Sequence, residues 1–333
     1  MKLLPPSLLL AAFAVFSPLA HTAEPKRLVV CTVTAGFRHS SIAEAEKALQ
    51  QLADESKAFT IVDFIRQPEV TVPKKPAAPR ALKPDADEKA KARFAEDMKK
   101  HEAALAQWTP ENEAAMKGAQ AEFQTRMKKS LARLAPENLV ARQVDAVIFA
   151  NTTGDLPLPD PDGFVKWIAD GHAFIGMHSA TDTFKSWGPY FEMLQGTFDG
   201  HGAQVPADLI AADTAHPANG GIGATWNLEQ EEMYLIRNHD RAKLRTLWFL
   251  RHHPNDPSKA GYFPVSWCRQ AGAGRVFYTS LGHREDLWSA DPALKDRKNP
   301  VEISQKYRAH LLGGIRWALG LVEGSAAPNP DVQ

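Results

Sequence analysis

The sequence predicts an α/β protein: a three-layer α/β/α sandwich around a mostly parallel sheet, with a helical hairpin inserted into it. Two observations predict the sandwich. Several short runs are apolar at every position, as in strands covered on both faces, and these runs alternate with amphipathic segments of helical period. A third observation predicts the insertion, because a proline-rich segment and two long charged segments interrupt the alternation between residues 68 and 134.

The first elements form a strand–helix–strand unit. Apolar runs at 28–33 and 59–65 predict two strands, and Ser41 is expected to cap a helix over 42–55 between them. This order is the unit from which parallel sheets are built.

The inserted segment, residues 68–134, begins with a linker that carries prolines at 68, 73, 76, 79 and 84 and is therefore semi-rigid. Two helices are predicted after it, at 85–107 and 110–134, each with an apolar stripe. We expect the two stripes to pack on each other as a hairpin. Acidic and basic residues are nearly balanced along both helices, which indicates a solvated face; docking of a protein partner is the alternative.

The alternation of strands and helices then resumes. Strands are predicted at 146–151, 173–177, 208–212, 233–237, 244–250, 262–269 and 275–280, and helices at 160–169, 187–195 and 303–319. We assign residues 26–67 and 135–322 to one α/β domain and residues 323–333 to a disordered tail.

Composition narrows the class of protein. The chain has 333 residues, of which 44% are hydrophobic and 23% charged, as in globular proteins. The formal net charge is 0, so no basic field attracts nucleic acid. Glycine-rich phosphate-binding motifs are absent from the sequence, so no nucleotide is expected.

The N-terminal residues and the cysteines indicate the compartment. Residues 1–23 have the charge, apolar run and small residues of a secretory signal peptide cleaved after Ala23, so we expect export to the periplasm or beyond; a retained anchor is the alternative. Cys31 and Cys268 lie in apolar strand-like runs and are expected to be buried free thiols, with a disulfide as the alternative.

Residues 174–184 contain the most informative pattern in the chain. The strand at 173–177 turns sharply at His178, within Gly176-Met177-His178-Ser179-Ala180, which has the spacing of the nucleophile elbow of hydrolases. Because the corner carries an imidazole, we expect a general base or a metal ligand rather than an acyl-enzyme. Ser179 neighbours the corner without occupying it, so a serine hydrolase ranks low.

Other histidines also follow predicted strands. His39 follows the first strand, His283 follows the last, and His201 lies in an irregular loop. Carboxyl ends of parallel strands share one edge of a sheet, so these loops can converge. We predict His39, His178, His201 and His283 as ligands of a divalent metal, Zn²⁺, Mn²⁺ or Fe²⁺. A structural role is the alternative for each.

Seven stretches, in order, resemble the ThuA (trehalose utilisation) family, whose fold is related to class I glutamine amidotransferases. They are residues 34–42, 150–155, 174–184, 190–201, 216–217, 231–234 and 264–283, most of the chain outside the leader and the insertion. The chain departs from the family in two places. An acidic Asp-Glu pair reads Glu231-Glu232 here, and the insertion is additional.

The resemblance implies a glutamine amidotransferase-like fold and a role in sugar catabolism through 3-keto intermediates. His178 stands where the amidotransferases have cysteine, so glutamine hydrolysis is not expected. We predict a lyase or hydrolase that removes the C2 proton of a 3-keto-glycoside and cleaves its glycosidic bond. His178 acts as base or ligand, and Asp182 and Glu231 orient imidazoles or bind hydroxyls.

Five further residues are predicted to contact the carbohydrate: Arg38, Thr181, Trp187, Tyr190 and Glu232. The two aromatic residues are expected to stack on sugar rings, although either is equally suited to the core. Two other functions stay open: a non-catalytic sugar-binding protein, and a partner-docking protein of a sugar-catabolic system.

Overall fold

The computed structural model describes residues 24–332, so the predicted signal peptide lies outside the described residues. The strands are β1 Lys26–Cys31, β2 Phe59–Ile65, β3 Ala146–Ala150, β4 Ala173–Met177, β5 Thr197–His201, β6 Val205–Ala211, β7 Thr225–Glu231, β8 Tyr234–Arg237, β9 Arg245–His253, β10 Asp256–Ala271 and β11 Gly274–Thr279. The α-helices are α1 Ile42–Ser56, α2 Glu88–Ala106, α3 Pro110–Leu131, α4 Pro136–Ala141, α5 Pro161–Ala169, α6 Gly188–Leu194, α7 Glu285–Trp288 and α8 Val301–Ala318.

Nine strands form one mixed sheet in the order β2-β1-β3-β4-β11-β10-β9-β6-β7. The strands from β2 to β11 pair in parallel, and those from β11 to β7 pair antiparallel. The expected mostly parallel sheet is therefore found in one half only. The connections explain this, since the tight turns between β9 and β10 and between β10 and β11 leave no room for a crossover.

Both faces of the sheet are covered at β1. Leu28 and Val30 of β1 belong to a core shared with α1 and α8, whereas Val29 and Cys31 belong to a second core shared with α5 and α6. This alternation explains the uninterrupted apolar runs, because a strand with helices on both sides has no solvent-facing position.

The insertion is attached to the fold at its C-terminal end. No residue of α2, which the structure describes in full, is buried, whereas α3 buries Met127 and Leu131 in the second core. The linker contacts the start of α3, where Lys75 Nζ lies 3.3 Å from Glu113 Oε2. The last turn of α3 is therefore part of the domain core.

The sequence predicts a disordered tail over residues 323–333. In the part of it that the structure describes, the Gly324 carbonyl accepts a hydrogen bond from Trp317 Nε1 at 2.9 Å, and the Asn329 side chain accepts one from the Thr246 amide at 2.7 Å. These contacts satisfy polar groups along the edge of the domain.

The two cysteines are free and buried. Cys31 lies in the second core and Cys268 in the first, on opposite faces of the sheet. Within residues 24–332, no helix has the length and apolarity required to cross a membrane.

Candidate functional site

The corner at His178 has the backbone of an elbow. Its φ of 48° lies in the left-handed region that non-glycine residues rarely occupy, and the chain continues into a short 3₁₀ turn, His178–Asp182. Gly176 is needed behind the corner, because a Cβ there would lie 2.9 Å from the ring of Tyr278. Strained backbone of this kind concentrates at functional sites.

The tautomer of His178 is fixed by its surroundings. Nδ1 lies 2.8 Å from the Ser280 carbonyl, which can only accept, so Nδ1 carries the proton. Nε2 therefore has the lone pair, and it accepts a hydrogen bond from the Tyr234 hydroxyl at 2.8 Å. Histidines that bind metals usually donate their second ring nitrogen to a carbonyl or carboxylate in this way.

This nitrogen belongs to a group of four side chains whose possible ligand atoms lie close together. His39, His178, Glu232 and His283 each offer one ligand atom, and these atoms all lie within 4.8 Å of one another. They come from the loop after β1, the elbow after β4, the residue after β7 and the loop after β11. The group could hold a metal ion.

The distances suit a small first-row ion. Nε2 of His178 lies 3.1 Å from Nε2 of His39, and nitrogen ligands of a tetrahedral ion bound at about 2.0–2.1 Å lie roughly 3.3 Å apart. Oε2 of Glu232 lies 3.1 Å from Nδ1 of His283 and 3.8 Å from Nε2 of His178. The short contact between Nδ1 of His283 and the Glu232 carboxylate brings two candidate ligand atoms together.

The imidazoles of His178 and His39 are in the neutral form that a ligand requires. Burial, reinforced by the neighbouring His39, lowers the pKa of His178 well below its ordinary value. Burial also lowers the pKa of His39 to about 4. Neither ring needs to lose a proton at neutral pH before it binds a cation.

The two adjacent glutamates have different surroundings. Glu231 is fully buried, and its carboxylate accepts hydrogen bonds from the amides of Glu232 at 2.9 Å, His283 at 3.0 Å and Arg284 at 3.3 Å. Burial raises the pKa of Glu231 to about 7 despite these bonds. Glu231 was expected in catalysis and Glu232 at the substrate. In the structure the carboxylate of Glu232 lies beside His178 and His283, and that of Glu231 lies against backbone amides.

A second set of buried contacts fixes the loops relative to one another. The side-chain amide of Asn151, after β3, donates to Ser41 Oγ at 3.0 Å and to the Gly282 carbonyl at 3.1 Å. Ser41 Oγ also donates to the Gly282 carbonyl, at 3.0 Å, instead of capping α1 as expected. The loops that carry His39 and His283 are therefore held together independently of any ion.

The fourth predicted ligand, His201, lies outside this group of four. It belongs to β5, where an irregular loop was expected, and its Nδ1 lies 2.9 Å from Oε1 of Glu232. The same Nδ1 is 2.8 Å from the Gly202 carbonyl. His201 thus contacts the oxygen of Glu232 that faces away from His178 and orients the carboxylate.

Two of the predicted substrate-binding residues, Tyr190 and Thr181, are buried, and a third, Trp187, is half-buried. Tyr190 is 1% exposed and donates its hydroxyl to the Ala180 carbonyl, and Thr181 is buried against the Tyr278 hydroxyl at 2.9 Å. Trp187 is half-buried and packs against the second core. Tyr190 lies in α6, whose apolar residues pack into the second core.

Two predicted residues remain at the rim. Arg38 is exposed, and its guanidinium donates to the Thr32 carbonyl at 3.0 Å. Asp182 ends the 3₁₀ turn and pairs with Lys185 at 3.0 Å.

Sequence reasoning did not assign a role to two residues beside the group. The Tyr234 hydroxyl donates to His178, and the ring of Phe37, 66% exposed, lies edge-on to His39 with centroids 4.9 Å apart. Two features of the sequence could have identified them. Tyr234 lies two residues after Glu232, and Phe37 lies two residues before His39.

Comparison with known proteins identifies the family of this chain. The model of the ThuA family, described as trehalose utilisation, matches residues 27–318. The chain belongs to the ThuA family. This confirms the resemblance noted in the sequence, and the matched region includes every residue of the group of four.

Solved structures share the fold of this ThuA chain. A putative ThuA-like protein from Parabacteroides merdae has a TM-score of 0.57 at 15% identity, over 92% of this chain and 96% of that one. Another from Bacteroides uniformis has a TM-score of 0.53 at 16% identity, over 94% and 98%. No curated protein matches the chain.

Proposed function

We propose that this ThuA chain is an exported, metal-dependent enzyme that acts on 3-keto-glycosides or closely related sugars. The single observation that carries the proposal is the group of three imidazoles and one carboxylate built around a histidine at an elbow. The family's association with trehalose utilisation supports a carbohydrate as the substrate. The predicted signal peptide supports export.

The donor set suits a divalent ion of the Zn²⁺, Mn²⁺ or Fe²⁺ type, which binds imidazole and carboxylate together. Such an ion would polarise the 3-keto oxygen of the substrate and stabilise the negative charge that develops on it. His39, His178, Glu232 and His283 would hold the ion, and His201 would keep the carboxylate of Glu232 in place.

The reaction begins with removal of the C2 proton, which the neighbouring ketone makes acidic. Electrons of the C2–H bond form a double bond between C1 and C2, by way of the enolate of the 3-ketone. The bond from C1 to the glycosidic oxygen breaks, and that oxygen takes up a proton as it leaves. Addition of water to the unsaturated ketone then completes a net hydrolysis. The groups that the protein must supply are a base near C2 and a proton for the leaving oxygen.

His178 has two roles open to it. Its Nδ1 proton is committed to the Ser280 carbonyl, so it can act only through Nε2. Through that atom it either binds the ion or takes the C2 proton. The Tyr234 hydroxyl, 2.8 Å away, is positioned to pass a proton to or from the same atom.

Turnover of a 3-keto-disaccharide by the purified mature chain tests the proposal. Activity should be lost on chelation, restored by one divalent metal and absent in His178→Ala. Activity that survives chelation but not His178→Ala would assign His178 as a metal-independent base. Saturable sugar binding without turnover under any metal would favour the sugar-binding function instead.

A second candidate function, docking of a protein partner, is favoured by the insertion. Helix α2 buries none of its residues, so the core does not require its sequence. Its charged surface is the part of the chain best suited to a partner within the same sugar-catabolic system.

A further inference from the structure

One large apolar side chain stands exposed directly beside the group of four. Phe37 is 66% exposed, and its ring meets His39 edge-on. Few large hydrophobic residues are so exposed in the described part of the chain. An exposed aromatic ring beside a polar site offers an apolar face, and a ligand that covers this face gains burial energy.

The loop that carries Phe37 is fixed rather than loose. The Ala35 amide donates to the Thr153 carbonyl at 2.8 Å. Thr153 Oγ1 donates to the Phe37 carbonyl at 2.8 Å and accepts from the Gly36 amide at 3.2 Å. The exposed ring is therefore presented at a defined position, as a binding platform must be.

A cavity of about 340 Å³ lies on the Gly36 side of this loop. Its volume falls in the lower part of the range of small-molecule sites, roughly 300–1,000 Å³. Gly36 and Gly154 give it a bare backbone wall, and a Cβ on Gly154 (φ +74°) would lie only 2.9 Å from the Gly36 amide.

The polar lining carries both signs of charge. Asp155, Asp182, Lys185 and Arg237 contribute two carboxylates and two cations, and Lys185 Nζ pairs with Asp182 at 3.0 Å. The two carboxylates would repel an anionic ligand, and the two cations would repel a cationic one. A neutral ligand rich in hydroxyl groups can bond to all four.

The cavity lies beside elements that carry the histidine group. Asp182 ends the 3₁₀ turn that His178 begins, and Lys185 lies over the ring of Phe198 at 5.1 Å. The Phe198 ring packs at 4.5 Å on that of Tyr234, which bonds to His178. Gly36, which lines the cavity, directly precedes Phe37 in the chain.

We infer that this cavity and the face of Phe37 form a subsite for a neutral hexose, the half of the disaccharide that leaves. The role as leaving-group subsite rests on the proposed function, but the binding itself does not. Phe37 covers the apolar face of the sugar ring, and the Asp182–Lys185 pair bonds to its hydroxyls.

Sugar binding is measured by saturation-transfer NMR and calorimetry with trehalose, glucose and glucuronate as probes. Phe37→Ala should weaken trehalose binding about tenfold, equivalent to about 1.4 kcal/mol. Phe37→Tyr should retain it, and Lys185→Met should also weaken it. Val140→Ala is the matched control, since it removes an exposed apolar side chain (61% exposed) from the distant helix α4.

The outcomes separate this inference from the proposed function. Trehalose binding that is lost in Phe37→Ala but kept in His178→Ala supports the subsite, whether or not the chain turns sugar over. Equal binding by wild type and Phe37→Ala overturns it, as does glucuronate binding more tightly than glucose. Absence of binding by all three sugars to the metal-loaded wild-type protein overturns it as well.

Discussion

The backbone of His178 and both nitrogens of its ring are held by specific interactions. Its backbone is held at a φ of 48°, Nδ1 is bonded to the Ser280 carbonyl, and Nε2 faces His39 and Tyr234. A buried, oriented and neutral imidazole is costly to build, because its polar atoms must all find partners. The site, rather than the stability of the fold, accounts for this arrangement.

Replacing His178 by alanine should remove the bound ion. Loss of a residue that merely supports a ligand weakens metal affinity about 10–100-fold, so loss of a ligand should exceed about 100-fold. Metal content per chain, measured by elemental analysis after dialysis, checks this. His252→Ala, at an exposed histidine on β9, is the control and should keep its metal; equal metal content in both variants would contradict the assignment.

Substitutions of Glu231 and Glu232 should have different effects, the first on stability and the second on metal content. Glu232→Gln should lower metal content with little change in the free energy of unfolding, because Glu232 offers a ligand atom. Glu231→Gln should lower the free energy of unfolding by about 1–3 kcal/mol, because the amide that replaces Oε2 cannot accept from the Arg284 N–H. Urea unfolding of metal-free protein measures the second effect, and the reverse pattern would assign the roles the other way.

Secondary structure was predicted best where the local hydrophobic pattern agrees with the topology of the sheet. Apolar runs and helical stripes predicted β1, α1, β2, β4 and α8 within a few residues, and strand ends predicted which loops meet. The strands β5 and β7 were not predicted, since β5 holds Asp199-Gly200-His201 and β7 alternates polar and apolar residues. Whether Glu231 or Glu232 faces the ligands depends on where β7 ends, which the sequence does not specify.

We expect the first part of the insertion, up to the middle of α3, to be dispensable for folding, and the last part of α3 to be required. Replacing residues 76–118 by a flexible linker should leave the midpoint of thermal unfolding and any turnover nearly unchanged, because the exposed Lys75–Glu113 pair is worth at most about 1 kcal/mol. Loss of turnover in a folded variant would show that the insertion serves the site. Loss of a partner with turnover intact would favour docking.

Extending the same deletion to residue 134 should unfold the chain. It removes Met127, Leu131 and Leu134, which are at most 1% exposed. Truncation of one such side chain costs about 2–5 kcal/mol, and three together approach the stability of a whole domain. Circular dichroism compares the two deletions; a folded longer deletion would mean that the core closes without α3.

The group of four brings together residues from both halves of the large sheet. His39 and His178 follow parallel strands, whereas Glu232 follows the antiparallel edge strand β7 and is held by His201 of the small β5–β8 sheet. An ion bound there would connect segments that are distant in sequence. Metal binding should therefore stabilise the fold, by about 2.7 kcal/mol at 100 times the dissociation constant, and raise the thermal midpoint. Glu232→Gln should abolish that increase; a midpoint independent of metal would argue against the site.

Buried histidines away from the site should make the domain sensitive to acid. Burial lowers the pKa of His216 and of His310 to about 4, from an ordinary value near 6.5. His216 Nδ1 accepts from the Ala218 amide, and His310 Nδ1 donates to the Ala218 carbonyl at 2.7 Å, so both rings are built in as neutral groups. At these two rings the unfolded chain binds more protons than the folded one between pH 4 and 6.5, so their contribution to the free energy of unfolding falls as the pH falls through this range.

His310→Asn isolates one of these protons. Asparagine can keep the hydrogen bond to the Ala218 carbonyl through its amide but cannot titrate. The variant should lose stability at pH 7 through the smaller side chain, yet its free energy of unfolding should fall less steeply below pH 6.5, by up to about 1.4 kcal/mol per pH unit. Urea unfolding at intervals from pH 7.5 to 4.5, with metal-free wild type beside it, measures the two slopes. Parallel curves would mean that His310 is protonated alike in the folded and unfolded chain, and that α8 tolerates a charge against the sheet.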